Sequence, residues 1–396
     1  VNGGGKTVIV RVDINSPVDK KGKIEITERF FTAAKTIEEL SKKKAKVVVL
    51  AHQGRRGNPD FIHLNQHARA LSKIIGKEVK FVPDVIGEKA KSSIKKMKSG
   101  DILLLDNVRL LDDETIEKSP KDHAKSSIVI NISPFADLFV NDAFSAAHRS
   151  HASIVGFTAV LPSYAGRTME KEIKALQKVI TRMKVSKHDT FVLGGAKPED
   201  PIEIMKFMLK RGTLETVLTC GIVGELFLIA SGYNLGKKTM NFLKKRGFLK
   251  SLEDVKRLLK KYKKKIVIPI DVAVDKNGKR IEIDLDQLPT NSLILDIGTR
   301  TFMKYASIIT KSKDVVMKGP VGVYENNGFE IGTKAIIEAI ANCDGFTLIG
   351  GGHTLAAMKK LKIEKDRFSH VSLGGGALIT FLSGKKMPGI ETLRRV

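Results

Sequence analysis

At 396 residues the chain is too long for one ordinary core, and at roughly 150 residues per domain it should form two or three. Its 42% hydrophobic and 28% charged residues exclude a disordered chain. Two cysteines without a CxxC pair, Cys220 and Cys343, exclude a disulfide framework and a cysteine-rich zinc site. Lys plus Arg, 69, outweigh Asp plus Glu, 43, and the net charge of +26 favours an anionic partner: nucleic acid, an anionic membrane or small phosphorylated metabolites.

In chain order, short β-rich apolar runs alternate with helical patterns. The first series is TVIVRVDIN (7–15), KVVVLAHQG (46–54), EVKFVPD (78–84), ILLLDNVRL (102–110) and DLFVNDAF (137–144). The segment 165–184 then spaces Met169, Ile173, Leu176 and Ile180 three or four apart, which predicts a long amphipathic helix. A second series follows: TFVLGGAK (190–197), TVLTCGIVG (216–224), KIVIPIDVAV (265–274), LILDIG (293–298), DVVMKGPVG (314–322), GFTLIGGGH (345–353) and HVSLGGG (370–376). Near-continuous apolar strands alternating with helices predict an α/β fold: two Rossmann-like three-layer αβα domains with parallel sheets, joined by a long helix and hinge. The expected boundaries are 1–164, the linking helix 165–184, a second domain 185–386, and a last segment 387–396.

Ligands of open parallel sheets bind beyond the carboxyl ends of the strands. In the first series those ends carry Arg11, Asp13, Asn15, His52, Arg55, Asp106, Arg109 and Asp142. The arginines among them, with Arg29 and Arg149, would repel one another without an anion, and a guanidinium grips a carboxylate or phosphate with two parallel hydrogen bonds. In the second series the ends carry glycines, among them Gly194-Gly195, Gly319, Gly350-Gly351-Gly352 and Gly374-Gly375-Gly376. Glycine lets backbone N–H groups approach a ligand, and helix N-termini add positive partial charge. One half therefore suits a small carboxylate or phosphate, the other a nucleotide, with transfer between them after hinge closure.

Other motifs weigh less. GGGKT (3–7) precedes a strand, so it lacks the strand-loop-helix setting of a P-loop, and no complete Walker A or G-x-G-x-x-G occurs. His63 and His67 share a helical face without the metalloprotease signature and read as a surface pair; the two cysteines read as small core residues. The lysine runs at 41–46, 91–98 and 260–265 read as helix coats or strand leaders, and Trp is absent. No specific nucleic-acid partner is expected. Nor is a membrane: no apolar run nears the roughly 18 residues of a span, and the charged N-terminus lacks a signal's apolar core, so a cytoplasmic protein is expected. Monomer and homodimer both remain open.

RVDINSP, AHQGR, LLDNVRL, VNDAFSAAHRSHAS, LGGAK, MKGPVGVYE, GGGHT and SHVSLGGGA, in that order, closely resemble phosphoglycerate kinase, in detail the archaeal branch. The resemblance spans Arg11 to Gly389. It implies reversible phosphoryl transfer between ATP and the C1 carboxylate of 3-phosphoglycerate, giving ADP and 1,3-bisphosphoglycerate, with Mg2+ on the nucleotide. It also implies that the last residues pack back on the N-terminal domain. By motif, Asp13, Ile14 and Asn15 would lie at the acid's hydroxyl and carboxyl region. His52, Gln53, Gly54, Arg55, Arg109 and Arg149 would surround its phosphate, and Arg29 would neutralise the transferring group. Lys197, with Gly195, would meet the nucleotide phosphates, and Glu325 the ribose. Gly350, Gly351, Gly352, His353, Gly374 and Gly375 would supply backbone N–H groups, with Thr354 also at the nucleotide and Gly351 and Gly374 as part of the catalytic set.

Three positions depart from the commoner pattern. His353 replaces an aspartate that helps hold magnesium, and imidazole is a poor ligand for that hard ion, so the metal should be held mainly by the nucleotide. Pro201 replaces a phosphate-binding lysine, and Lys318 replaces an asparagine. Lys318 is expected to restore the cation missing at 201 and to join the nucleotide-binding residues. The rival enzyme is an ATP-dependent kinase of another small carboxylate.

Overall fold

The structure is a computed structural model describing residues 4–183, 189–212 and 214–394. Gly3 of GGGKT, residues 184–188 at the expected linker end, and the last two residues of 387–396 lie outside the described residues. The chain divides into two compact units, Val1–Lys174 with Lys386–Val396, and Ala175–Lys385.

The first unit holds β1 (Thr7–Arg11), β2 (Lys46–Leu50), β3 (Lys80–Val82), β4 (Ile102–Leu105), β5 (Leu138–Asn141) and β6 (Ser163–Ala165). They form one sheet in the order β3-β4-β2-β1-β5-β6, every pair parallel. The two-residue period of a strand sends alternate side chains to opposite faces. Val8, Val10, Val47, Val49 and Leu104 pack under the helices Glu28–Lys42 and Asn65–Ile75. Ile9, Val48, Leu50, Leu103 and Phe139 pack on the other face against Ala90, Ile94, Ile128 and Phe157. Both faces are covered, which is why these strands read as unbroken apolar runs. The tail beyond Lys386 belongs to this unit: Gly389 donates to the Ala147 carbonyl at 2.9 Å, and a Cβ there would meet Ile154 at 2.8 Å.

The second unit contains β7 (Asp189–Leu193), β8 (Thr216–Thr219), β9 (Ile266–Val267), β10 (Asp271–Lys276), β11 (Lys279–Asp284), β12 (Leu293–Ile297), β13 (Asp314–Lys318), β14 (Phe346–Gly350) and β15 (His370–Ser372). Its main sheet runs β15-β14-β13-β7-β8-β9, all parallel. The segments 265–274 and 293–298 depart from the expected parallel series. Only Ile266–Val267 joins the main sheet; β10 lies between β11 and β12 in a separate antiparallel sheet, and the residues of β11 are ones that the apolar pattern left unassigned. The cause is a hairpin at Asn277-Gly278, both at positive φ, the backbone that tight two-residue turns require. Its second strand, KRIEID, is largely exposed and therefore lacked an apolar signal.

The expected helix at 165–184 is observed as Arg167–Met183. Among the described residues no helix is long and apolar enough to cross a membrane.

Candidate active site

In the first unit the site begins where β1 ends. Arg11 is 1% exposed and points inward: Nε donates to Ser153 Oγ at 2.8 Å and Nη2 to His52 Nδ1 at 2.9 Å. Guanidinium can only donate, so His52 Nδ1 accepts and its proton sits on Nε2. Burial, then the Arg11 charge, holds His52 well below the usual histidine range, so the ring is neutral at neutral pH. Arg11 is thus a buried anchor, balanced by Glu114, whose carboxylate accepts from Ser153 N–H at 2.9 Å and Oγ at 2.7 Å. Burial pushes Glu114 up to about 7.

Two residues on, Asp13 accepts from Ser145 Oγ and from Asn15 N–H, and pairs with Arg29 Nη1 at 2.8 Å. Burial alone would raise the Asp13 pKa. The Arg29 guanidinium leads the groups that instead bring it down to about 2, so the pair stays ionised. Arg29 comes from the first turn of the helix Glu28–Lys42, and its side chain is 30% exposed, so it retains donors for a ligand. Ile14, between these residues, is fully buried in the core and reaches no ligand through its side chain.

Gly54 joins this cluster to a second one. Its N–H donates to Asn15 Oδ1 at 2.8 Å and its carbonyl accepts from Arg109 Nη1. A Cβ here would meet the Asp60 carbonyl at 2.3 Å, and the backbone sits at φ +66°, so only glycine fits. Gln53 is spent internally: it accepts from Ser16 N–H at 2.9 Å and donates to the Ser16 and Asp60 carbonyls. Beyond Gly54 a cavity of about 310 Å³ is lined by Arg55, Arg56, Arg109, Arg149 and His151, with Asp112 paired to Arg56. Burial, then Arg11 and Arg149, brings Arg109 down to about 10, and burial, then Arg149, brings His151 to about 3. The side chains around this cavity carry excess positive charge. Arg56 and His151 were not singled out from sequence, although Arg56 directly follows Arg55.

Other strand-end residues are structural. Asp142 accepts from Met169 N–H at 3.0 Å, and Asp106 from Leu64 N–H at 3.1 Å. The histidines at 63 and 67 are no surface pair: His63 reaches Asp106, whereas His67 is fully buried and meets Gln53 Oε1 at 3.1 Å. Cys220 is fully buried; Cys343 is only half-buried and donates to the Ser312 carbonyl.

In the second unit two cavities share Gly195, Ala196, Pro320 and His353. One, about 250 Å³, is walled by Lys197, Asp200, Lys318, Gly351, Gly352 and Gly376. Lys318 ends β13, is 7% exposed, and pairs with Asp200 at 3.2 Å. Burial lowers its pKa and Asp200 opposes that shift. Thr354, buried in the first turn of the helix Gly352–Lys360, accepts Gly319 N–H at 3.0 Å through its hydroxyl and fixes the loop after β13. Gly319 sits at φ +87°, where a Cβ would strike the Gly194 carbonyl at 2.2 Å.

Gly350 is part of β14, flanked by Lys318 and Ser372, and is small because a Cβ would meet Leu378 at 2.2 Å. Gly374 already donates its N–H to Ser372 Oγ, so Gly375 and Gly376, not Gly374, reach the cavity. The other cavity, about 340 Å³, is walled mainly by apolar side chains, with Glu225 and Glu325. Its floor is β12, pinned by Asp296, which pairs with Arg280 at 2.8 Å and accepts Gly332 N–H at 2.8 Å.

An apolar pocket beside a cationic, glycine-walled one is the complement of a base and sugar with attached phosphates. The family model described as phosphoglycerate kinase matches residues 1–385. The chain belongs to the phosphoglycerate kinase family. The family's members are phosphotransferases with a carboxyl group as acceptor, and phosphoglycerate kinase activity is the activity of this chain.

The phosphoglycerate kinase of Methanothermobacter thermautotrophicus is 44% identical over 390 residues, 98% of this chain and 94% of that protein. That of Saccharolobus solfataricus is 43% identical over 98% of this chain and 94% of its own length. The crystal structure of phosphoglycerate kinase from Pyrococcus horikoshii OT3 superposes with a TM-score of 0.91 at 39% identity, covering 100% of this chain and 97% of that one. The structure from Coxiella burnetii gives 0.83 at 29% identity, covering 100% of this chain and 97% of its own.

Proposed function

We propose that the first unit holds 3-phosphoglycerate and the second holds ATP or ADP. The single observation that carries this assignment is the cavity of Arg55, Arg56, Arg109 and Arg149, which suits a compact dianion and not a lone carboxylate. The phosphate of 3-phosphoglycerate occupies it, with His52 behind. The glycerate end then lies toward Asp13, Asn15 and Arg29, linked to the arginine cavity through the Gly54 peptide. This favours a phosphorylated acid over acetate, aspartate or unphosphorylated glycerate.

The acceptor is a carboxylate, ionised at neutral pH because an ordinary carboxyl pKa is about 4, so the reaction needs no general base. What remains is alignment and charge neutralisation. Arg29, held by Asp13, faces the transferring phosphoryl group. Lys197 and Lys318 meet the nucleotide phosphates, with Gly351 and Gly352 offering backbone N–H groups. Lys318 supplies the second cation that Pro201 lacks. Glu325 meets the ribose.

Mg2+ usually takes one or two carboxylates together with substrate phosphates. Asp200 lines the phosphate cavity and fits an ion carried in on the nucleotide; the His353 imidazole does not. When bound, the ion spreads the phosphate charge. Among the described residues no group of three or more His, Cys, Asp or Glu could hold a metal on its own. The glycolytic and gluconeogenic reaction supports a cytoplasmic location.

The test is coupled turnover with ATP and 3-phosphoglycerate against acetate, aspartate and glycerate. Only the phosphorylated acid is expected to support turnover; equal rates with glycerate would remove the role of the arginine cavity.

A further inference from the structure

Arg11 opens the motif RVDINSP, yet a ligand scarcely reaches it. It is 1% exposed, and its guanidinium is committed to Ser153, His52 and the Val12 carbonyl. A cation taken out of water needs a counter-anion and filled hydrogen bonds. Burial lowers the Arg11 pKa, and the charge of Glu114, then of Asp13, opposes that shift. Glu114, itself 1% exposed, reaches Arg11 through the fully buried Ser153. Ser153 gives its one hydroxyl proton to Glu114 Oε1 at 2.7 Å, which leaves its oxygen to accept Arg11 Nε at 2.8 Å. The Ser153 N–H fills Glu114 Oε2 at 2.9 Å. Arg11 thus donates at both ends, toward Glu114 through Nε and to His52 Nδ1 through Nη2. The same acid ties two segments together, its carbonyl accepting Ala152 N–H at 3.0 Å. One segment brings Arg109, Asp112 and Thr115 to the 310 Å³ cavity, the other Arg149 and His151.

We propose that Glu114 and Ser153 are positioning residues for the phosphorylated acid: by fixing Arg11 they hold His52 in the form with its proton on Nε2, so that the neutral ring meets the dianion as a donor. The inference rests on the placement of the acid's phosphate before His52 and adds how that ring is set. The opposite tautomer would turn a lone pair toward the anion. A charged ring would add repulsion among Arg11, Arg109 and Arg149. A neutral donor offers one hydrogen bond without either penalty.

The experiment pairs nitrogen NMR of His52 in the free enzyme, at neutral pH, with steady-state kinetics. The chains compared are the wild type, Ser153→Ala, Glu114→Gln, His52→Ala and the double variant Ser153→Ala with His52→Ala. In the wild type His52 should show a protonated Nε2 and a bare Nδ1. Ser153→Ala leaves Arg11 Nε without its partner and should mix the two tautomers. It should raise the KM for 3-phosphoglycerate roughly tenfold, with kcat within about threefold and the KM for ATP unmoved. Glu114→Gln keeps the shape, removes the counter-charge and should disturb the ring in the same way. In the His52→Ala background, Ser153→Ala should add less than about twofold to that KM, because its effect passes through the ring.

A wild-type ring protonated on Nδ1 overturns the inference whether or not any variant folds. An unchanged KM for 3-phosphoglycerate in Ser153→Ala overturns it too. So does the full rise persisting without His52, which would make Ser153 a brace of the cavity wall and nothing more. His52→Ala with an unchanged KM for 3-phosphoglycerate would instead remove the placement of the phosphate, and this inference with it.

Discussion

The two units line their cavities with opposite materials. The first walls its cavity with guanidinium side chains, Arg56 braced by Asp112 and Arg109 by the Gly54 carbonyl, while Arg29, outside that cavity, is braced by Asp13. The second walls its 250 Å³ cavity with glycines and two lysines, and sets an apolar chamber beside it. Braced arginines suit the shape of a small, compact acid, at the expense of burial and then mutual repulsion, which together lower Arg109. Bare backbone lets a long ligand lie close and leaves recognition of its far end to a few side chains. On the proposed assignment, fixed charge specifies the acid and close approach the nucleotide.

The comparison breaks first at Arg29, whose cation should act on the transferring group and not on binding alone. Arg29→Ala should lower kcat by roughly 10²–10⁵ with a smaller change in KM for 3-phosphoglycerate. A loss confined to KM would reassign Arg29 to the acid's resting site. The next effect is Lys318→Ala, expected to reduce kcat/KM for ATP roughly ten- to a hundredfold through loss of a charged hydrogen bond. Turnover within a few fold of wild type, with nucleotide affinity unchanged, would leave Pro201 uncompensated.

How much of this was legible depended on whether burial announced itself. Strands such as KVVVL and DVVMK are buried on both faces, so their apolar runs located both main sheets. The strand-end arginines and glycines stood out because such residues are unusual there. KRIEID has an exposed, alternating pattern and was passed over, although Asn277-Gly278 marked its turn. Gln53, Gly350 and Gly374 sit in recognisable motifs, yet sequence could not tell that their polar groups or space are already used internally. Glu225 was silent for a different reason: one carboxylate in a buried helix looks like any other until its missing partner is seen.

A smaller effect sharpens the contrast through stability. Glu225 keeps its proton up to about 8 in the folded chain, against an unfolded value of 4.5. Between those values unfolding releases a proton, so the wild type loses stability as pH rises across the window. Glu225→Gln has no such proton, and its advantage in Tm should grow from pH 5 to pH 8 and then level off. A constant difference would mean that the carboxyl finds a partner in the free enzyme. The smallest effect concerns the surface: if the net charge of +26 steers anions, KM values should rise modestly with ionic strength, and a flat response would make the lysines merely solubilising.

The most direct test is a crossed titration, by calorimetry, of 3-phosphoglycerate and of ADP against two double variants. Arg55→Ala with Arg149→Ala should weaken 3-phosphoglycerate roughly tenfold to a hundredfold while ADP binds as in the wild type. Lys197→Ala with Lys318→Ala should do the reverse. If either pair weakened both ligands equally, or neither, the division of labour between the two units would be wrong.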